Sequence, residues 1–135
     1  MRVFIDTNIL ISCIIWPDSK PSQAFFKAAY THTNKAIISE HSIEELHRVF
    51  SRKFPGYVQG MADFLAEHFH VLEIVPYIIE TYEAEQLIRD ENDRPILRAA
   101  IHAKADILIT GDKDFLDSGI TSPRIMSASE FLDIT

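Results

Sequence analysis

Short apolar runs alternate along the chain with longer stretches in which apolar residues recur every three or four positions. The short runs are typical of buried strands, and the spacing of three or four is typical of amphipathic helices. This alternation favours an α/β fold with a largely parallel sheet. The predicted strands are residues 3–5, 36–38, 71–75, 107–109 and 125–126.

Prolines and serines indicate where the helices begin and end. Proline cannot continue a helix, and a serine side chain accepts a hydrogen bond from the free N–H groups of a first turn. We predict helices over residues 8–16, 21–30, 57–69, 81–88 and 94–104. A further helix is predicted from a cap at Ser39 or Ser42 to the Pro55-Gly56 pair, and a closing turn is predicted to start at Ser127 or Ser129.

The composition predicts a single globular domain over residues 1–135. Hydrophobic residues make up 47% of the 135 residues and charged residues 24%, a mix that suits one domain with one core. No apolar run reaches the roughly 18 residues needed to cross a bilayer, and Asp6 interrupts the first run too early for a signal peptide. Cys13 is the only cysteine, and its apolar neighbours predict a buried thiol. We therefore expect a cytoplasmic protein with no membrane association.

The net charge of −7 argues against a general nucleic-acid binder, because such proteins meet phosphates with an excess of basic residues. An enzyme that holds divalent cations on carboxylates is a different case, since the cation supplies the positive charge that meets the phosphate. The acidic balance also fits a protein that meets a basic partner.

Acidic residues stand where the predicted sheet should carry a site. Asp6 follows the first strand, and Asp112 follows the strand of residues 107–109. In parallel α/β sheets, ligands bind beyond the carboxyl ends of the strands, so these two side chains are expected at one edge. Asp93 and Glu45, from two further segments, can converge on the same edge. Such a cluster suits Mg²⁺, which prefers oxygen ligands, and like charges so close predict a raised pKa for at least one acid.

Each acid also has a structural interpretation. The two acids that precede predicted helices can cap them. Glu44 stands four residues before Arg48 and can form an ion pair with it, whereas Glu45 has no cation at that spacing. Residues 112–114 can form a polar turn. Spacing alone does not decide between a site and these alternatives.

Four segments, in this order, resemble the motifs of PIN domains. The resemblance covers nearly the whole chain and extends to an ending like that of the compact bacterial and archaeal branch of VapC-type toxins. The matching segments are residues 4–10 (FIDTNIL), 39–46 (SEHSIEEL), 90–100 (DENDRPILRAA), 105–115 (ADILITGDKDF) and, for the ending, 125–132 (IMSASEFL).

The resemblance implies a fold, an activity and partners. The fold is a three-layer α/β/α arrangement with a mainly parallel, twisted sheet of four to five strands. The activity is Mg²⁺- or Mn²⁺-dependent endonucleolytic cleavage of RNA, and the implied role is that of the toxin in a toxin–antitoxin pair. The implied partners are RNA, a cognate antitoxin and a second copy of the chain, for which apolar helix faces such as that of residues 57–69 are suited.

The resemblance also assigns candidate site residues. The catalytic and metal-binding quartet is Asp6, Glu45, Asp93 and Asp112, and Asp114 is a fifth metal ligand. Asn8 and Thr110 are supporting polar residues. Two alternatives stay open, since Glu44 could replace Glu45 and Asp90 could replace Asp93. Cations that flank the acidic motifs are candidate phosphate contacts, and they are Arg94, Arg98 and Lys113.

Two other function classes stay open. A phosphatase of the haloacid dehalogenase type also begins with a strand that ends in Asp, but it needs a second Asp where this chain has Asn8. A non-catalytic module that binds nucleic acid or protein is the other alternative. None of the six histidines has the i,i+4 spacing of a helical zinc pair, so no zinc site is predicted. Trp16 is expected at the edge of the core or as a wall of an RNA groove.

Overall fold

A computed structural model describes residues 1–134, and Thr135, the last residue of the predicted domain, lies outside the described residues. In residues 1–134, no helix is long and apolar enough to span a membrane. The strands are β1 (Arg2–Ile5), β2 (Lys35–Ser39), β3 (Leu72–Val75), β4 (Ile107–Ile109) and β5 (Arg124–Met126). The α-helices are α1 (Thr7–Ile15), α2 (Lys20–Tyr30), α3 (Glu40–Lys53), α4 (Val58–His68), α5 (Arg94–His102), α6 (Lys113–Leu116) and α7 (Ala128–Leu132), with short 3-10 turns at Pro55–Tyr57, Phe69–Val71, Glu83–Leu87 and Glu91–Asp93.

The five strands form one sheet in the order β3-β2-β1-β4-β5, and every neighbouring pair is parallel. Val3 pairs with Ala36 on one side and with Ile107 on the other, so β1 is the central strand. All five carboxyl ends therefore meet at one edge of the sheet. The predicted strands are present, and the α/β fold with a parallel sheet of four to five strands is confirmed.

Alternate residues of the central strands face two separate apolar clusters. Val3 and Ile5 pack on one face of the sheet together with side chains of α1, α2, α3, α4 and α7. Phe4, between them, packs on the other face with side chains of α5 and α6, including Leu97 and Phe115. Because both faces are covered, the central strands are continuous apolar runs, and the structure has three layers.

Side-chain caps explain where several helices begin. The Ser42 N–H donates to Ser39 Oγ over 3.0 Å, so Ser39 is the cap of α3. Ser127 caps α7, and the Glu130 carboxylate accepts from the Ser127 N–H in return. Of the two serines predicted for each helix start, Ser39 caps α3 and Ser127 caps α7.

The predicted helix at residues 81–88 is wrong, since this segment forms only a 3-10 turn over Glu83–Leu87. The reason is the inward side chain of Glu85, which is 2% exposed. Its carboxylate accepts from the Tyr82 N–H over 2.6 Å and pairs with Arg98 of α5 over 2.7 Å. The turn ends at Ile88, where the backbone becomes extended and the side chain is buried, so the helix does not continue.

The core-edge interpretation of Trp16 is also wrong, because this side chain is 57% exposed just after α1. The helix predicted at residues 57–69 is present as α4, in which Met61 is buried. Phe69, just beyond it, is 62% exposed. The apolar side chains of residues 57–69 are thus divided between the core and the surface.

We predict that Arg98→Met destabilises the protein by about 3 kcal/mol, because it leaves the buried Glu85 carboxylate without its cationic partner. Burial works to raise the pKa of Glu85, but the bonds from Arg98 and from the Tyr82 N–H outweigh it and hold this pKa below its usual range. Urea unfolding measures the change. The control Arg124→Met removes an exposed arginine at the start of β5 and should alter stability by no more than about 0.5 kcal/mol. Equal effects of the two substitutions would contradict this account.

Candidate metal centre

The first acid of the site, Asp6, lies at the carboxyl end of the central strand and is only 6% exposed. Its carboxylate accepts from the Thr7 N–H over 2.7 Å, the Thr110 hydroxyl over 2.7 Å and the Asn8 side-chain amide over 3.1 Å. Burial raises the pKa of Asp6 to about 6, and the nearby charges of Glu45 and Asp112 act in the same direction against the hydrogen bonds. Asp6 caps α1, and its second oxygen is oriented by Asn8 of α1 and by Thr110, which follows β4.

A small network joins the ends of β1 and β4. The Asn8 side-chain oxygen accepts from the Gly111 N–H over 3.1 Å, and the Thr110 hydroxyl oxygen accepts from the Asp112 N–H over 3.0 Å. Asp112 in turn caps α6, because its carboxylate accepts from the Asp114 N–H over 2.9 Å. Asn8 and Thr110 therefore fix the distance between the two strand ends that carry Asp6 and Asp112.

Three carboxylates form the tightest group of the site. Asp93, Asp112 and Asp114 each offer an oxygen, and these oxygens all lie within 4.8 Å of one another. Burial raises the pKa of Asp93 to about 7, and the charges of Asp112, Asp90 and Asp6 contribute to the rise. The expected raised pKa is therefore present at Asp6 and at Asp93.

The rivals in the third motif differ in what their side chains do. Asp90 caps the 3-10 turn at Glu91–Asp93, where its carboxylate accepts from the Asn92 N–H over 2.9 Å. Asp93 precedes α5, but in the described part of the chain its side chain makes no capping hydrogen bond to that helix. The capping interpretation of Asp93 is thus wrong, and its carboxylate faces Asp112 instead.

The two adjacent glutamates of α3 lie in different surroundings. Glu45 has a side chain that is 23% exposed, and its charge acts on Asp6. Glu44 is exposed and accepts from the Tyr77 hydroxyl. The prediction of an ion pair between Glu44 and Arg48 is wrong, because Arg48 lies 3.6 Å from Glu45 instead. Glu45 and Arg48 are one turn apart on the same side of the helix. Glu45, not Glu44, is thus electrostatically coupled to the end of β1.

Two of the three predicted phosphate contacts are engaged elsewhere. Arg98 pairs with Glu85, as described above, and the Arg94 guanidinium donates to the Ile88 carbonyl over 3.0 Å. Lys113 is exposed in the first turn of α6. Arg98 is therefore engaged by the buried Glu85, and the phosphate contacts of all three residues stay predictions.

Two arginines that sequence analysis did not select do contact the acids. Arg48 approaches Glu45, and Arg89 donates to Asp114 over 3.1 Å. The i,i+3 spacing of Arg48 from Glu45 was a usable signal for the first contact. No local pattern indicated the second, since Arg89 and Asp114 are 25 residues apart.

The donor set fits a hard divalent cation. Carboxylate oxygens are the ligands that Mg²⁺ and Mn²⁺ take in proteins, usually one or two of them with several waters. Burial is the main cause of the raised pKa values of Asp6 and Asp93, and neighbouring carboxylates add to the rise. The Thr7 hydroxyl supplies a further sign of an incomplete site, because it is buried next to Asp6 with no hydrogen-bond partner in residues 1–134. The residues present therefore fit a bound cation.

The histidines lie apart from this donor set. His68 is buried and its Nδ1 is bonded to the Tyr30 hydroxyl over 2.7 Å, within a group of aromatic rings between α2 and α4. Burial lowers the pKa of His68. Within residues 1–134, the one group of three or more candidate metal donors consists of aspartates.

The chain belongs to the PIN-domain family, because the sequence model of that family matches residues 2–114. It is 30% identical over 120 residues to the uncharacterized protein MJ1680 of Methanocaldococcus jannaschii, a match that covers 86% of this chain and 74% of that protein. Its fold is similar to a chain in the crystal structure of VapBC2 from Rickettsia felis bound to a DNA fragment from their promoter. That likeness has a TM-score of 0.69 and 20% identity, and it covers 94% of this chain and 98% of the other.

We predict that Asp93→Asn stabilises the protein at pH 8 by about 1 kcal/mol when chelator is present, a figure reduced from the full linkage value because Asp93 is partly exposed to solvent. The folded protein keeps a proton on Asp93 up to a pKa of about 7, whereas the unfolded chain loses it near 3.8. Stability from this group is therefore lost as pH rises through that window. Asparagine carries no charge, so the advantage of the variant should vanish near pH 4.

Thermal or urea unfolding across this pH range tests the prediction. Asp18→Asn removes an exposed carboxylate outside the cluster and serves as the control, with no pH-dependent gain expected. A variant that is less stable than the wild type at pH 8 would show that Asp93 has a structural role.

Proposed function

We propose that this chain is a metal-dependent endoribonuclease that hydrolyses RNA phosphodiester bonds at the carboxyl edge of its sheet. PIN domains are generally nucleases, and membership of that family supports a hydrolase. The observation that carries the proposal is the convergence of acids from different segments, which brings oxygens of Asp93, Asp112 and Asp114 within 4.8 Å of one another. Burial and the neighbouring charges raise the pKa values of Asp6 and Asp93.

The proposed ligands of a Mg²⁺ or Mn²⁺ ion are the acids of this cluster. Asp93, Asp112 and Asp114 are the tightest set, and Asp6 and Glu45 are close enough to influence it electrostatically. Once held there, a divalent cation supplies a more acidic water and positive charge to meet the phosphate. The proposed catalytic quartet is Asp6, Glu45, Asp93 and Asp112, with Asp114 as an additional ligand.

The protein side chains have separable parts in this proposal. Three hydrogen bonds hold the Asp6 carboxylate in one orientation, so it loses little entropy when it takes up its role. Burial raises the pKa of Asp93 to about 7, so this carboxyl group must lose a proton before it can bind a cation. Thr110 and Asn8 act through Asp6 and position it.

The hydrogen bonds of Asn8 disfavour a phosphatase of the haloacid dehalogenase type. In that chemistry an acid two residues after the nucleophile exchanges protons with the leaving group. Here the Asn8 amide bridges Asp6 and the Gly111 N–H, and an amide does not exchange protons in this way. Hydrolysis by water, without a covalent aspartyl intermediate, therefore suits the site better. A non-catalytic binding module would have no use for acids held at raised pKa values.

We further propose that the chain is the toxin of a toxin–antitoxin pair in the cytoplasm. Its likeness in fold to a chain of VapBC2, a complex that binds promoter DNA, supports this role. An antitoxin segment that covers this acidic edge would be basic, in keeping with the net charge of −7. Inhibition of RNA cleavage by the product of an adjacent gene would test the pairing, and gel filtration would test a homodimer.

We predict that the wild type cuts RNA from a mixed pool of structured and single-stranded molecules in Mg²⁺ or Mn²⁺, and that chelator abolishes the cutting. Asp112→Asn should lower the rate by at least about a hundredfold, as expected for loss of one charged group that acts on the transition state. Glu45→Gln should also lower it strongly, whereas Glu44→Gln, its neighbour on α3, is the matched control and should retain most activity.

Circular dichroism and thermal unfolding must show that each variant is folded. Equal activities of the Glu45 and Glu44 variants would remove Glu45 from the proposed quartet. Metal-independent cutting, or full activity of Asp112→Asn, would overturn the proposed site. RNA binding without cleavage by the folded wild type in either metal would favour the binding module.

A further inference from the structure

Two exposed arginines contact the acidic site from two different parts of the sheet edge. Arg48 Nη2 lies 3.6 Å from Glu45 Oε2, and Arg89 Nη2 lies 3.1 Å from Asp114 Oδ1. Glu45 is on the helix after β2, and Asp114 is on the helix after β4. Because β2 and β4 are the two neighbours of β1, the arginines flank the position of Asp6 at the end of the central strand.

These two arginines differ from the other cations next to the acidic motifs. The side chains of Arg48 and Arg89 are 55% and 85% exposed, whereas those of Arg94 and Arg98 are only 23% and 21% exposed. Arg98 is bound to the buried Glu85. Ion pairs at exposed positions contribute little to stability, so Arg48 and Arg89 can exchange a carboxylate for another anion at small cost.

An acidic protein that takes RNA at a cluster of carboxylates needs local positive charge. The chain has a net charge of −7, and each nucleotide of the substrate adds a negative phosphate. Guanidinium groups match phosphate oxygens through two parallel hydrogen bonds. A pair of mobile arginines on either side of the acids therefore supplies what a polyanion requires next to such a site.

We propose that Arg48 and Arg89 bind the phosphates on the two sides of the one that is cut, so that a single strand of RNA lies across the sheet edge from α3 to α6. This inference rests on the proposed function and deepens it, because it names the residues that position the substrate. Arg89 shares Asp114 with the divalent cation, so it competes with the cation when RNA is absent.

Removal of Arg89 is expected to have opposite effects on the binding of RNA and on the binding of Mn²⁺. Arg89→Gln should weaken binding of RNA but strengthen binding of Mn²⁺, because a competing positive charge is removed from Asp114. The probe for RNA binding is a short phosphorothioate-linked single-stranded RNA of mixed sequence, followed by fluorescence anisotropy over a range of salt concentrations. Mn²⁺ binding without RNA is measured by calorimetry.

We expect Arg48→Gln and Arg89→Gln each to weaken binding of this RNA by roughly tenfold and to reduce the slope of log Kd against log salt by about 0.7, the contribution of one phosphate contact with a single strand. Arg89→Gln should raise Mn²⁺ affinity by about twofold to threefold. Arg89→Lys keeps the charge and should restore most of the salt slope. Arg124→Gln, at the other edge of the sheet, is the matched control and should change none of these values.

Unchanged RNA affinity and salt slope in both variants would overturn the inference, even if the wild type cuts RNA. Losses equal to that of Arg124→Gln would overturn it as well, because they would reflect net charge alone. If the wild type binds the probe but cuts no RNA, the proposed function fails while the salt slopes still decide the role of the arginines. If the wild type does not bind the probe, the inference about the arginines fails, while cleavage of the mixed RNA pool still decides the proposed function.

Discussion

The structure depends on holding several carboxylates at one edge of a parallel sheet, where their mutual repulsion opposes folding. Parallel pairing brings the carboxyl ends of β1, β2 and β4 to this edge, and the chain places acids just after each of them. Burial and neighbouring negative charge raise the pKa values of Asp6 and Asp93. Carboxylates held in this way suit the divalent cation of the proposed function.

The rest of the fold supplies the stability that offsets the repulsion between these carboxylates. Both faces of the central strands are covered by apolar clusters, so a shift of β1 by one residue would move Phe4 and Ile5 into clusters packed around other side chains. At the edge itself, Thr110 and Asn8 bond Asp6 and the loop after β4. The central strand thus gives the site its rigidity, while the cations at its rim are exposed. This division suits an enzyme that binds a mobile polymer at a fixed set of ligands.

Sequence patterns predicted the parts of the structure that depend on local rules. The strands are apolar runs with strong β preference, and Ser39 starts α3 by the ordinary rules of capping. Parallel topology together with the family resemblance indicated that Asp93 and Asp112 would lie close together. Asp114 joins the tight group because Asp112 caps the short helix that carries it, a contact between near neighbours in sequence.

The errors concern contacts between distant segments. Residues 81–88 have a helix-like pattern, but a buried pair between Glu85 and Arg98 selects a 3-10 turn. No local pattern indicated that Arg98, a predicted phosphate contact, pairs with Glu85. Glu44 bonds Tyr77, which is 33 residues away and lies on a loop whose course has no periodic signal. Such pairings are decided by tertiary packing, so local propensity could not reveal them.

The most direct test of the account is the release of protons when Mn²⁺ binds. Calorimetry at pH 6 in buffers of different ionisation enthalpy measures it, because ligands with raised pKa values must lose protons to take the cation. The account predicts that binding releases protons at pH 6, that the release disappears at pH 9, and that Asp93→Asn reduces it. Binding without proton release at pH 6, or no binding at all by the folded protein, would contradict the central claim that these acids form a cation site.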